Sequence, residues 1–384
     1  MTFVDFIAIF ATIIITISVT FLLGKRWQFW FNLQLSGYGR IIYWLTIGLA
    51  GGSFILARVL NDILTSGLHL FLLTISGLMI CSVFITLIFE IVYRFCKKQI
   101  KPNLWHKISF IIAVVALFCF GHEMAINPKI VDYQVVINKS ANVDHLRIVQ
   151  LSDIHINEHT SASMIQNMID KVNSLKPDFI VITGDTLDKR LKPFVENGFI
   201  EKFQQLKSKY GNYIIFGNHE YLGTHDNNNR EEDIINAFKQ AHLKVLKDDI
   251  VYLDEVGITL IGRDDFSSYK YDVKRASLSD LIMFSDTDRP IILLDHQPRD
   301  IKDVAEQQVD LMLSGHTHGG QIFPINILVA MMYKNANGIY HDTDHHFTSI
   351  VNSGYGFGGP PIRLMTRSEI VVIDVSFVNK TTIQ

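Results

Sequence analysis

The chain has 384 residues, of which 48% are hydrophobic and only 19% charged, and its mean hydropathy is positive at +0.21. Those values exclude an ordinary water-soluble globule and call for a membrane part joined to a globular part. The net charge of −3 comes with no basic run of the kind that tracks phosphates, so no nucleic-acid partner is expected.

Four apolar stretches come first, at about 2–23, 41–59, 68–92 and 108–126, and are read as four transmembrane helices. The first is no cleavable leader, because it lacks a basic start and a small-residue cleavage site. Gly48 and Gly52 in the second are spaced for close helix packing. Lys25, Arg26 and Arg40 lie in the first connection, and Arg94, Lys97, Lys98, Lys101 and Lys107 in the third; the second has Arg58 balanced by Asp62. Basic connections stay cytoplasmic, so both termini are expected outside, with the C-terminal part periplasmic or extracellular. If the fourth stretch does not cross, that part is cytosolic instead. His69, Glu90, His122 and Glu123 fall near the ends of these stretches and read as interfacial residues rather than an intramembrane site. The cysteines, Cys81, Cys96 and Cys119, all precede Gly121, which excludes a disulfide framework and thiolate chemistry from everything after it.

From Ile130 the pattern changes to strands and helices. Strands are expected at 131–137, 146–151, 178–183, 213–216, 251–253, 258–261, 291–294, 309–313, 349–351 and 370–375. Helices are expected at 161–175 and again up to about 210. The chain thus divides into a membrane region, 1–126, and an α/β layered domain, 127–384, with its function at the strand ends.

Five of those strand ends carry polar blocks: Asp153 and His155; Gly184-Asp185; Gly217-Asn218-His219-Glu220; Asp295-His296; and Gly315-His316-Thr317-His318. Taken singly, Asp153 and Asp185 read as helix caps, Asn218 as a turn residue and His296 as a satisfied core histidine. Taken jointly they are an oxygen and nitrogen donor set without sulfur, suited to Mn, Fe, Zn or Mg. An aspartate shared by two cations would hold them close enough for in-line attack on phosphorus.

These five blocks, in this order, resemble the calcineurin-like metallophosphoesterase family over roughly 146–375. The resemblance implies a four-layer β-sandwich flanked by helices, here preceded by an all-α transmembrane region. It implies two divalent cations: Asp153, His155 and His318 on one, Asn218, His296 and His316 on the other, and Asp185 bridging. His219 matches the histidine that gives a proton or hydrogen bond to the leaving oxygen or phosphoryl group, and the implied reaction is attack of metal-bound hydroxide on a phosphomonoester, phosphodiester or pyrophosphate. Gly319-Gly320-Gln321, Gly354-Tyr355-Gly356 and Pro361-Ile362-Arg363 resemble a membrane-anchored branch that includes enzymes acting on lipid-linked phosphoesters or pyrophosphates. Arg363 and Asn218 are the candidate substrate contacts, and Arg363 reads equally as a surface arginine. Ser368 stands where that branch often has proline, which weakens the claim to one substrate.

The apolar run 324–332 reads as a segment that dips into the bilayer or cradles an acyl chain, or else as buried packing, and the run 341–346 as a solvated loop in preference to a site for an extra ion. Two other functions remain open at this stage: hydrolysis of soluble nucleotides or sugar phosphates with the helices as an anchor, and a non-catalytic membrane sensor or assembly factor.

Overall fold

The computed structural model describes residues 3–60, 63–96, 102–226 and 230–378. Asp62, Lys97, Lys98 and Lys101, used above to orient the helices, lie outside them. The chain divides into two compact units, Met1–Glu123 with Gly359–Ile362, and Met124–Gly358 with Arg363–Gln384.

The first unit is helical: α1 (Phe3–Trp30), α2 (Gly37–Gly51), α3 (Ser53–Val59), α4 (Ser66–Phe95) and α5 (Leu104–Ile126). Among the described residues three helices, α1 from Phe10, α4 and α5, are long and apolar enough to cross a membrane. The expected second span is a pair of helices, α2 and α3, bent by 58°, which together are long and apolar enough to make a fourth. Gly51 and Gly52 sit at the break, where adjacent glycines weaken a helix. Close packing falls on Gly51 rather than Gly48 or Gly52, since a Cβ on Gly51 would come within 2.1 Å of Thr20 Oγ1, whereas one on Gly48 would meet nothing.

α1 runs past the expected residue 23 because its last turns carry tryptophans that pack inward. Trp30 is buried and donates from Nε1 to Glu90 Oε1 at 3.2 Å, and Glu90 also pairs with Arg26 at 3.4 Å. Trp27 donates to Thr86 Oγ1 at 3.2 Å. These contacts bring the C-terminal ends of α1 and α4 together, so Arg26 and Arg94 share one end of the helical unit.

Among the described residues the second unit has twelve strands in two six-stranded sheets. In chain order they are β1 (Lys129–Ile137), β2 (His145–Leu151), β3 (Phe179–Thr183), β4 (Asn212–Ile215), β5 (Lys244–Leu246), β6 (Asp249–Leu253), β7 (Ile258–Gly262), β8 (Ile291–Leu294), β9 (Leu311–Ser314), β10 (Gly338–Asp342), β11 (Phe347–Val351) and β12 (Glu369–Phe377). One sheet has the order β1-β12-β2-β3-β4-β5 and the other β10-β11-β9-β8-β7-β6.

Period-two alternation sorts their side chains. Phe179, Val181, Tyr213 and Ile215 of the first sheet meet Leu260, Ile292, Leu311 and Leu313 of the second in a shared apolar core. The opposite faces pack helices: Ile180, Ile182 and Ile214 against α6 (Ala162–Ser174), and Ile261, Leu293 and Met312 against the helices at Leu278–Met283 and Ile301–Glu306. The result is helix, sheet, sheet, helix, the expected α/β four-layer arrangement.

The helix expected up to residue 210 is absent. Two short helices replace it, α7 (Lys192–Glu196) and α8 (Phe199–Phe203), separated by Gly198 at φ 70°. β5 and β10 were not expected; β5 has only three residues and β10 lies at a sheet edge. The run 341–346 is not wholly a loop, because His341 and Asp342 close β10.

Parallel pairing decides where the chemistry goes. β2, β3 and β4 pair in parallel, as do β8 and β9, so their carboxyl ends open onto common edges. All five polar blocks begin at those ends.

Candidate metal centre

The loops after β2 and β3 are stitched backbone to backbone. Asp153 N–H donates to Gly184 O at 3.0 Å and His155 N–H to Asp185 O at 3.0 Å. On the other sheet Gly315 N–H donates to His296 O at 2.9 Å. Side chains then bind loop to loop. His316 N–H donates to both oxygens of Asp153, at 3.1 and 3.0 Å, and His219 N–H donates to Asp185 Oδ1 at 2.8 Å. Glu220, in the first turn of α9 (Asn218–Asp226), is buried and accepts from Asp185 N–H at 3.0 Å, Leu187 N–H at 2.9 Å and Gly217 N–H at 2.8 Å.

This compactness is strained. Asp153, His155, Asp185, His316 and His318 all have φ between 50° and 69°, a region that non-glycine residues enter at a cost of roughly 1–3 kcal/mol each. Gly315 is needed for the same closeness: a Cβ there would stand 1.8 Å from Ser152 Oγ and 2.3 Å from Asp153 Oδ2.

Three groups result among the described residues. Asp153, His155 and His318 place their donor atoms within 4.8 Å of one another, as do Asp185, His296 and His316, and His155, Asp185 and His219. Asp185 Oδ2 stands 3.3 Å from His296 Nε2, 3.9 Å from His155 Nε2 and 4.0 Å from His219 Nε2; Asp185 belongs to two of the three groups, and His155 links it to the third. Asn218 Oδ1 is 3.3 Å from His296 Nε2.

The residues present fit cations. His296 donates from Nδ1 to the carbonyl of Thr183 at 2.7 Å, which turns Nε2 towards Asp185 and Asn218. His155 Nε2 and His318 Nε2 face each other at 3.0 Å beside Asp153 Oδ1, an approach of two ring nitrogens that a shared cation satisfies. Oxygen and nitrogen donors without sulfur suit a hard or borderline divalent ion.

The cation-free electrostatics point the same way. Burial pushes the Asp185 carboxyl up, but the charges of His296 and His219 outweigh it and hold the group well below the usual carboxylate range. Burial pushes the Asp153 carboxyl above that range, with His296 opposing and Asp185 nearby adding to the rise. For His296, burial is overcome by Asp185, and the ring is raised well above the ordinary histidine value. For His219, burial is overcome by Asp185 and Asp188, raising it to about 9. Burial lowers His316 to about 3, and burial with His155 and Arg363 lowers His318 well below normal. Protons on His219 and His296 thus balance acidic groups that cations would otherwise balance.

Asp188 and Glu220 were missed as functional residues. Asp188 Oδ1 lies 3.1 Å from His219 Nδ1 and 3.5 Å from His155 Nδ1, and its backbone carbonyl accepts a short hydrogen bond from His219 Nδ1. The available signal was a second carboxylate three positions after Asp185 in the same loop.

Arg363 is a correction. It is fully buried, and its NH2 donates to Gly356 O at 2.6 Å and Gly354 O at 3.3 Å, its NH1 to His318 O at 3.3 Å, with NH2 also 3.2 Å from His318 Nδ1. A guanidinium so enclosed has no face for a substrate; it holds the loop that carries His318. Burial lowers it to about 10. Arg363→Met should therefore destabilise the fold by about 2–4 kcal/mol, because carbonyls lose their donor inside the protein. Thermal unfolding would show the loss, and calorimetric Mn titration would show weakened binding. Arg363→Lys should rescue neither, since an ammonium cannot reproduce the fork. A rise in KM with an unchanged Tm would instead restore the substrate-contact role.

The comparisons with known proteins agree with this geometry. The family model described as calcineurin-like phosphoesterase matches residues 146–320. A transmembrane protein with metallophosphoesterase domain from Danio rerio is 31% identical over 354 residues, 87% of this chain and 79% of that protein. An uncharacterized metallophosphoesterase of Campylobacter jejuni is 32% identical over 77% of this chain and 78% of its own length, and one from Helicobacter pylori is 29% identical over 88% and 90%. Likeness of this extent runs through the helical part as well as the strands that carry the clusters, and the chain belongs to the calcineurin-like phosphoesterase family of metal-dependent phosphoesterases.

Proposed function

We propose that residues 127–384 form a two-cation phosphoesterase domain at the outer membrane surface, acting on a phosphoester or pyrophosphate of a lipid or lipid-linked substrate. The single observation that carries the two-cation reading is the position of Asp185, whose Oδ2 faces His155 on one side and His296 on the other. Asp153, His155 and His318 would hold one ion, Asn218, His296 and His316 the second, and Asp185 both. When bound, such ions lower the pKa of water and stabilise charge on phosphoryl oxygens.

The chain's own groups supply the rest. Hydrolysis forms a bond from water oxygen to phosphorus as the ester P–O bond breaks, and the leaving oxygen needs a proton. His219 is placed to give it: Nδ1 is held by the Asp188 carbonyl, so Nε2 turns towards Asp185 and the cleft. Its side chain is 17% exposed, against 14% for His318, 2% for His155 and 0% for His296, so it is the most open of these four imidazoles. Its raised value, about 9 without cations, keeps the ring protonated near neutral pH; nearby cations would lower that value.

Two features support the outer location. Arg26 and Arg94 lie at the same end of the helical unit, and Trp27 and Phe89 pack against Phe110 near the start of α5, placing that start at the basic end too. α5, at 23 residues, is long enough to carry the chain to the opposite side.

The test is phosphate release by the detergent-solubilised, Mn-loaded full chain, with Asp185→Ala as the blank. A total membrane lipid extract is compared with soluble nucleotides and sugar phosphates. Release from lipid alone supports the proposal. Release from soluble esters alone removes the lipid substrate and leaves the helices as an anchor, and release from neither removes turnover itself.

A further inference from the structure

The helix α13 (Ile325–Met332) begins four residues after Gln321, at the end of the loop that carries His316 and His318; α10 (Glu231–Gln240), α11 (Leu278–Met283) and α12 (Ile301–Glu306) precede it in the chain. Its sequence, Ile-Asn-Ile-Leu-Val-Ala-Met-Met, has one polar side chain, and none of its residues is buried. Ile325 and Ile327 are each 49% exposed, Leu328 57%, Met331 79% and Met332 73%. The bridge between Ile322 and Leu364 sets Met365, 77% exposed, beside Phe323, 38% exposed, and so extends the patch.

The polarity of this helix is inverted. Asn326 turns its Oδ1 inward, where it is buried and without a hydrogen-bond partner, while isoleucine, leucine and methionine face outward. In water both halves of that arrangement are unfavourable, the apolar surface left wet and the amide oxygen left dry. An apolar phase outside the helix would take the isoleucine, leucine and methionine side chains out of water and remove the first of those costs. Contiguous exposed patches of this kind mark contact with a partner or a membrane.

We propose that α13 is a membrane-docking helix, lying in the boundary between headgroups and acyl chains of the bilayer that the chain's own helices enter. The bilayer is the occupant the chain itself points to, because α1, α4 and α5 are apolar enough to hold every copy at a membrane. The cationic rim agrees. Arg299, Lys302 and Lys334 line a cavity of about 380 Å³ together with Met332 and Tyr333; Asp300 and Asp303 share its rim, so the three cations outnumber the carboxylates there and leave a modest positive excess beside apolar side chains. Tyr333 also stands edge-on to His316 with ring centroids 6.2 Å apart, so the docked helix ends against the candidate metal centre. The docking surface goes beyond the phosphoesterase reading and holds whether or not lipid is the substrate.

The test uses the full chain in nanodiscs of phosphatidylcholine and phosphatidylglycerol, with Cys81, Cys96 and Cys119 replaced by serine. An environment-sensitive fluorophore is placed at Met331→Cys and, as the water-facing control, at Lys239→Cys on α10. Lipids bearing doxyl quenchers are expected to quench position 331 roughly threefold more than position 239, with blue-shifted emission. A fluorophore on Phe323→Cys is expected to be quenched as position 331 is, and the added pair Leu328→Asp and Met331→Asp is expected to abolish the quenching at 323 while the unfolding temperature stays unchanged, which shows the fold intact. Quenching at 331 no greater than at 239 overturns the proposal, even if lipid is hydrolysed. Quenching at 331 without lipid hydrolysis upholds the docking helix and removes only the lipid substrate.

Discussion

Asp185→Ala should lower kcat on any hydrolysed phosphoester by at least about a thousandfold, or ~4 kcal/mol of transition-state stabilisation. The size follows from position. A change at Asn218 or His316 would disturb one proposed ion, whereas Asp185 Oδ2 lies 3.3 Å from His296, a ligand proposed for one ion, and 3.9 Å from His155, a ligand proposed for the other. Its Oδ1 also accepts from His219 N–H, so the alanine variant loosens the proton donor too. Asp185→Asn is the sharper companion. It keeps an oxygen for that hydrogen bond and removes the charge, so the fold should survive while turnover falls to a similar level. Metal content measured beside activity decides the matter: the wild type should carry two Mn ions per chain and the variants fewer. Wild-type Mn content with wild-type kcat in Asp185→Ala would remove the shared-ligand assignment.

Removal of divalent cations by a chelator should bring activity to background, and Mn should restore it. The same cycle should move thermal unfolding, because a ligand bound only by the folded state stabilises it by about 2.7 kcal/mol at a hundred times its Kd. The pH dependence has a definite sign. Without cations, Asp185 raises His296 well above the ordinary histidine value, so near neutral pH that ring is protonated and must lose its proton to become a ligand. Mn binding should therefore release at least about one proton, and affinity should rise by about tenfold per pH unit through the neutral range. Calorimetry in buffers of differing ionisation enthalpy reads the proton directly. His316 and His318, held neutral chiefly by burial, contribute no such release. Affinity independent of pH from 6 to 8, roughly the range in which histidine normally titrates, would mean that His296 is not a ligand.

Much of the fold was legible because the strands that matter are short apolar runs buried on both faces. β3, Phe-Ile-Val-Ile-Thr, and β8, Ile-Ile-Leu-Leu, have every residue buried, and each ends where a polar block begins. The elements that escaped have weak local signals. β5 is Lys-Val-Leu, three residues that pair only because β4 lies beside them. The stretch before residue 210 carries helical periodicity, yet Pro193 and Gly198 confine it to two short helices. The break between α2 and α3 was equally hidden, since Gly51 serves a contact with Thr20 from a distant helix.

The sequence by itself determined the residue types and the order of the donor set, the alternation that makes a layered α/β domain, and the apolar stretches of the membrane part. Those are properties of neighbouring residues, and neighbours along the chain are enough to express them. Tertiary structure decided everything that depends on residues far apart. It placed Asp185 between His155 and His296, and turned His296 by a hydrogen bond to Thr183. It enclosed Arg363 among the carbonyls of Gly354, Gly356 and His318, and so removed it from the substrate's reach. It also set Asp188 against His219. The physical reason is common to all of these: burial and charge act through space, and a carboxylate's neighbours in space come from loops that only sheet pairing brings together.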